Sequence, residues 1–179
     1  MTTVIFIRHC EATGQAPEAP LTIKGLADAQ TLVERLASFR FDALYSSPFR
    51  RAVQTVEPLA AALGLPILME SRLQERRLSG EPLTDWLDHV RRSFDDFDYR
   101  APGGESLADA QRRGLEALQR IHNDNSTCSA LVSHGNLLAS LLRYVDAKFT
   151  FAAWQGMPNP ALYRVQLTEG MPVHYEPIT

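Results

Sequence analysis

Two histidines in this chain each end a short apolar run, and each stands beside groups suited to an anion. The first run, Val4-Ile5-Phe6-Ile7, leads into Arg8, His9 and Cys10. The second, Ala130-Leu131-Val132, leads into Ser133, His134, Gly135 and Asn136. Each pattern predicts a buried strand that stops at a histidine. Ligands of open α/β sheets bind in the crevice outside the carboxyl ends of the strands, so both histidines are expected to face one pocket.

A third cation belongs with them. Arg50 and Arg51 fall in the first turn of a predicted helix, where each positive charge opposes the helix dipole by about 0.3 to 1 kcal/mol unless an anion lies among them. The plainer reading, that both point to solvent or pair with acids, has equal weight until Arg8 is added. A phosphoryl group suits the set, because its oxygens accept from several fixed donors and arginine supplies them in a planar fork. Catalysis of phosphoryl transfer is mostly positioning and charge stabilisation. A neutral His9 could attack phosphorus directly and form a covalent intermediate without a metal-activated water. His134, when protonated, would donate to the transferring oxygens, and Glu75 is the candidate acid for the leaving alkoxide.

The order of these residues resembles that of the histidine phosphatases, the superfamily that includes the cofactor-dependent phosphoglycerate mutases. Arg8-His9-Cys10-Glu11 resembles the family's opening Arg-His-Gly-Glu. Leu21, Thr22 and Gly25 match its Leu-Thr-x-x-Gly segment, and Ser46 through Arg51, Ala52, Gln54 and Thr55 match Ser-Ser-x-x-x-Arg-Ala-x-Gln-Thr. Glu75 follows Leu73 by two positions as the family's acid does, Pro102 to Ser106 matches Pro-Gly-Gly-Glu-Ser, and Ser133 to Gly135 closes the series. The resemblance implies an α/β fold, a three-layer α/β/α sandwich with a mostly parallel sheet and an antiparallel edge strand. It implies ping-pong chemistry with His9 as nucleophile, Arg8, Arg51 and His134 as the phosphate pocket, and Glu75 as the acid that later becomes the base for water. Gln15 takes the place where many relatives carry a phosphate-binding asparagine. Gly135 and Asn136 follow the second histidine, the asparagine as in the mutases. Arg51 is preferred to Arg50 because it directly precedes the motif's alanine.

The departure is Cys10, which stands where the family has glycine. It is read as a tolerated replacement, the alternative being an altered pocket wall or an oxidisable thiol. His9-Cys10 also resembles the start of the His-Cys-x5-Arg loop of cysteine-dependent phosphatases, but the arginine that loop needs at position 16 is Ala16 here.

The elements that must position these groups alternate along the chain. After the first strand, Thr22 is the expected cap of a helix burying Leu26, Ala29, Val33 and Leu36. Phe41 to Tyr45 is a second strand, and Ser46-Ser47-Pro48 starts a helix burying Ala52, Val56, Leu59 and Leu63 and closed by Gly64. Leu65 to Met69 is a third strand. Residues 74–100 are charged and aromatic, and read as an excursion over the sheet with a short helix near Thr84 to Phe94, either a lid or a decorative insertion. Asp95, Asp96 and Asp98 are taken as solvated. Ser106 and Asp109 form a predicted capping box before a helix through Leu107, Leu115, Leu118 and Ile121. A strand from Ser129 leads to a helix through Leu137, Leu141, Leu142 and Val145, and Ala161 to Leu167 is an edge strand with a weaker one near Val173 to Tyr175.

Composition narrows the function classes. The 179 residues, 45% hydrophobic and 22% charged, suffice for a single domain with a proper core. A net charge of -3 without a basic run argues against nucleic-acid or anionic-membrane partners. No apolar stretch approaches the roughly 18 residues of a membrane span and the start of the chain lacks signal-peptide character, so a cytoplasmic protein is expected. The two cysteines, Cys10 and Cys128, fall toward opposite ends of the sheet and are expected as thiols. His89, His122 and His174 lack metal-ligand spacing, and neither metal nor cofactor is expected.

The function expected is metal-independent hydrolysis of a small phosphomonoester, with phosphoglycerate mutase-type transfer as first alternative. A protein phosphohistidine phosphatase and a noncatalytic phosphate sensor are the others; a sensor would be marked by loss of His9, Arg51, Glu75 or His134, and all are present. Nothing in the residues bears on assembly.

Overall fold

The computed structural model describes residues 2–179. Six strands form one sheet in the order β3-β2-β4-β1-β5-β6. They are β1 (Thr2–Arg8), β2 (Ala43–Ser46), β3 (Ile67–Met69), β4 (Cys128–Ser133), β5 (Leu162–Thr168) and β6 (Met171–Pro177). The first four run parallel, while β5 is antiparallel to β1 and to β6. Ala161 to Leu167 therefore does not supply the edge: β5 lies inside the sheet and β6 takes the outside position. The burial along β6, with Pro172 enclosed and Val173, His174, Glu176 and Pro177 exposed, is that of a strand covered on one side.

Side chains along β1 alternate between two cores. Val4 and Phe6 join Leu131, Leu118, Ile121 and Leu138 on one face. Ile5 and Ile7 join Leu44, Val132, Leu32 and Val56 on the other. Strands buried on both faces read as continuous apolar runs, which is why β1 and β4 stand out in the sequence. Helices α1 (Ile23–Arg35) and α2 (Arg50–Leu63) cover the second face. Helices α3 (Trp86–Asp95), α4 (Leu107–Asn123), α5 (Gly135–Val145) and α6 (Phe151–Gln155) contribute to the first. This is the three-layer α/β/α arrangement expected. Among the described residues, no helix is long and apolar enough to cross a membrane.

Two helices differ in detail from their sequence patterns. Thr22 caps α1 by accepting from the Gly25 amide at 2.9 Å. The helix then buries Gly25, Ala29, Leu32 and Leu36 rather than the stripe through Leu26 and Val33, and Leu26 is 45% exposed. The cause is Gly25, where a Cβ would lie 2.1 Å from the Glu11 carbonyl oxygen. That contact turns the glycine toward the loop after β1 and sets the rotation of the whole helix. Helix α2 begins at Arg50, after Pro48, and Phe49 is its cap without a side-chain bond. The Ser47 hydroxyl accepts from the Phe49 amide at 3.3 Å but belongs to the strand end.

The capping box at Ser106 and Asp109 forms as expected, with both reciprocal bonds at 3.0 Å. In the 74–100 segment, Val90 and Phe94 of α3 are buried in the first core, while Trp86 and Asp95, Asp96 and Asp98 are exposed. Phe94 packs against Phe151 and Trp154 of α6, with ring centroids 6.1 and 6.3 Å apart. Gly25→Ala is expected to lower unfolding free energy by about 1 to 3 kcal/mol, because α1 and the Glu11 loop must separate. Urea denaturation measures this, and an unchanged midpoint would contradict the close approach.

Candidate active site

The carboxyl ends of three neighbouring strands converge. Arg8 pairs in register with Ser133 across β1 and β4, so His9 and His134 emerge side by side. The His9 amide donates to the Ser133 carbonyl at 3.0 Å, and the two imidazole centroids are 5.1 Å apart. Strand β2 ends next to β4, where the Ser47 amide donates to the Val132 carbonyl at 2.9 Å. Its hydroxyl lies 2.8 Å from His134 Nε2. Ser47, which the sequence suggested as a helix cap, thus orients the second histidine.

His9 has a defined tautomer. Its Nδ1 lies 2.7 Å from the Cys10 carbonyl oxygen, which can only accept, so the ring proton is on Nδ1 and Nε2 carries a lone pair. Arg51 Nε donates to that lone pair at 3.2 Å. Burial, with Arg51 and Arg8 nearby, holds the His9 pKa down at about 3 even though the Cys10 carbonyl favours the proton. Burial, then His9 and three arginines, likewise holds His134 well below the usual histidine range.

Arg51 is 1% exposed and donates through Nη1 to the carbonyls of Gln15 at 3.1 Å and Ala16 at 2.9 Å. Arg50, the other arginine of this helix start, is exposed and has no side-chain contact with His9 among the described residues. Gln15 brings its backbone carbonyl to Arg51, while its residue is exposed and makes no side-chain bond among the described residues. Arg8 donates through Nη1 to the Met157 carbonyl, and its Nε is buried without a partner. Gly135 lets that guanidinium approach: a Cβ there would be 3.3 Å from Arg8 Cζ and 3.1 Å from Trp154 Nε1. Burial lowers the pKa of both arginines, opposed by the charge of Glu75. Neither has a carboxylate within ion-pair distance among the described residues.

Glu75 reaches the same region from the other side of the crevice. Its Oε2 accepts from the Asn136 amide at 3.2 Å and its Oε1 from Leu137 at 3.2 Å and Arg76 at 2.7 Å. The carboxyl group therefore lies at the amino end of α5, one residue past His134 and Gly135. Asn136 contributes its amide to this contact, and its side-chain Oδ1 is buried without a partner.

Cys10 is fully buried among Ile5, Ile7, Leu21 and Ala29, on the core side of the strand end. Burial pushes its thiol up to about 11, so it stays protonated and unreactive at neutral pH. Both cysteines are free. Thr55 ties this position to the arginine helix, accepting from the Cys10 amide at 2.9 Å and donating to the Arg51 carbonyl at 2.7 Å. Asn159, absent from the sequence reading, donates through Nδ2 to the His9 carbonyl at 2.8 Å. Among the described residues, no three His, Cys, Asp or Glu side chains group so as to hold a metal ion.

The buried neutral His9 has a consequence for stability. The unfolded chain binds a proton there near the ordinary 6.5, the native chain only near 3, so the unfolded state holds the extra proton in between. The contribution is whole above pH 6.5 and is lost as pH falls toward 3. His9→Gln is expected to flatten the acid loss of stability by up to about 1.4 kcal/mol per pH unit in that window. Urea unfolding at several pH values tests this, and equal pH slopes for the two proteins would contradict a neutral, buried His9.

Known proteins resemble this one in sequence and in fold. A family model described as the histidine phosphatase superfamily, branch 1, matches residues 4–175. The protein named "Probable phosphoglycerate mutase GpmB" of Shigella dysenteriae serotype 1 (strain Sd197) is 30% identical over 158 residues, covering 79% of this chain and 74% of that one. YhfR of Bacillus stearothermophilus superposes with a TM-score of 0.76 at 27% identity, over 96% of this chain and 94% of its own. A mycobacterial glucosyl-3-phosphoglycerate phosphatase gives a TM-score of 0.79 at 20% identity over 98% and 96% of the two chains, a likeness of fold. With nearly its whole length matched by the family model, the chain belongs to the histidine phosphatase superfamily.

Proposed function

We propose that the chain hydrolyses small phosphomonoesters by ping-pong transfer through His9. The observation that carries this reading is the buried Arg51 guanidinium and the half-buried Arg8, whose Nε is enclosed, beside a neutral imidazole and with no carboxylate within ion-pair distance of either among the described residues. Buried cations call for a counter-charge, and an unpartnered buried donor such as Arg8 Nε costs about 1 to 3 kcal/mol until an acceptor arrives. A phosphoryl group answers both needs. The two arginines also provide the positive charge that a divalent metal supplies in other phosphoryl-transfer sites, which supports a metal-independent route.

Arg51 Nε–H shifts from His9 Nε2 to a phosphoryl oxygen, freeing the lone pair to attack phosphorus. The ester P–O bond breaks, its electrons stay on the leaving oxygen, and Glu75, which takes up a proton when the dianionic phosphoryl group binds beside it, gives that oxygen the proton. Glu75, now a carboxylate, takes a proton from water as its oxygen attacks phosphorus. The P–N bond breaks, its electron pair returns to Nε2, and inorganic phosphate leaves. Arg8, Arg51 and His134 hold the transferring oxygens throughout, with Gly135 giving Arg8 its room.

The 74–100 excursion supports a small substrate. Its Phe94 packs on Trp154 of α6, which in turn lies against Gly135, and a cap from that side would favour a small ester over a protein surface. Mutase-type transfer is the second reading, favoured by Asn136 after the second histidine and by the name carried by the Shigella relative. The two part on whether phosphoglycerate is isomerised without net phosphate release.

Steady-state phosphate release from a panel of phosphomonoesters tests the proposal. His9→Ala is expected to abolish turnover, and Glu75→Gln to reduce it by about 10² to 10⁴ for alkyl esters and far less for aryl esters, whose leaving groups need no proton. Activity should persist in a chelator. Full turnover by His9→Ala, equal losses across leaving groups for Glu75→Gln, or metal-rescued loss in the chelator would each overturn the corresponding step.

A further inference from the structure

We infer that Arg113 and Glu105, on and just before α4, form a clamp that positions the proposed proton donor Glu75, an assignment that rests on the acid role given to Glu75 above. Arg113 and Glu105 meet as a two-pronged pair, Nε to Oε1 at 2.9 Å and Nη2 to Oε2 at 3.0 Å. The remaining nitrogen of Arg113, Nη1, donates to the Arg72 carbonyl at 2.6 Å and the Gln74 carbonyl at 2.8 Å. The guanidinium thus grips the backbone on the amino side of Glu75.

Glu105 grips the carboxyl side. Its Oε2 accepts from the Arg77 amide at 3.0 Å, its own amide donates to the Arg77 carbonyl at 2.7 Å, and its carbonyl accepts from Arg76 Nε at 2.9 Å. Arg76, 4% exposed, extends the hold to α3 by donating from Nη2 to Ser93 Oγ at 2.7 Å. The Ser133 hydroxyl donates to the Leu73 carbonyl at 2.8 Å, joining the same segment to the strand end that carries His134. Residues 72–77 belong to no regular element beyond one 3-10 turn at Ser71–Leu73, so no ladder fixes them. Their geometry depends on these side chains, which are rooted in a helix started by the Ser106 capping box. Neither Arg113 nor Glu105 is in contact with the reacting groups, so both are positioning residues. A general acid must lie within hydrogen-bond reach of the oxygen it protonates, and a slackened loop loses that geometry before it loses the fold.

The test is kcat and KM over esters of graded leaving-group basicity for wild type, Arg113→Ala, Arg113→Lys and Glu75→Gln, with thermal unfolding of each. Lysine keeps the charge but cannot span both carbonyls and both carboxylate oxygens, so it probes the clamp even where alanine does not fold. The expected result is a drop of about tenfold or more in kcat on alkyl phosphates and less than about threefold on aryl phosphates, with KM little changed. In the double variant with Glu75→Gln, Arg113→Lys should add almost nothing, because both act on one proton transfer. A uniform loss across leaving groups, no loss at all, or full additivity would overturn the clamp. If Glu75→Gln itself shows no leaving-group dependence, the acid assignment fails. If it shows that dependence and Arg113→Lys does not, the clamp alone fails.

Discussion

Everything in this crevice answers to two guanidinium charges, Arg51 buried and Arg8 half-buried, beside an imidazole that stays neutral. Arg8 and Arg51 are held by carbonyls, from Met157 on one side and Gln15 and Ala16 on the other, which fix the forks without cancelling their charge. Burial, with Arg51 and Arg8 beside it, disfavours a proton on His9 and leaves an Nε2 lone pair that accepts from Arg51. On the proposed reading, the same physics would bind a phosphoryl group and keep His9 ready as its nucleophile. The cost is borne by the rest of the fold, through a sheet buried on both faces and helices that bring their chemistry to its carboxyl edge.

The register of β1 and β4 converts this local chemistry into a site. Because Arg8 pairs with Ser133, the residues after each strand fall side by side, and the two histidines meet without any loop having to search. Glu75 needs more support, since its segment lacks regular structure. Its carboxyl group rests on the free amides at the start of α5, and its backbone is tied to α4. A rigid half of the site thus comes from strand ends and a braced half from side chains.

What could be read in the sequence follows the same division. Arg8, His9 and His134 announce themselves because buried strands read as apolar runs that end abruptly, and Arg51 because a cation at a helix start calls for an anion. The helix faces were less legible. Leu26 and Val33 look like the buried stripe of α1 on size alone, yet docking is set by Gly25 against the Glu11 carbonyl, a contact invisible to periodicity. Ser47 looks like a helix cap and instead faces His134, because the chain leaves β2 before α2 begins. Inner β5 and outer β6 cannot be told apart by alternation when the order of strands is not given. Asn159 and the Arg113–Glu105 pair were out of reach for another reason: their partners lie far along the chain, and nothing local marks them.

The proposed reaction turns on a covalent bond between phosphorus and His9 Nε2, which rapid mixing of enzyme with an aryl phosphate, quenching in alkali and mapping of the modified residue by mass spectrometry would detect. One transient, acid-labile phosphoryl group is expected on His9, formed within the first turnover and absent when the substrate is exhausted. Turnover with no phosphoryl group on the protein at any time, or one on a different residue, would contradict it.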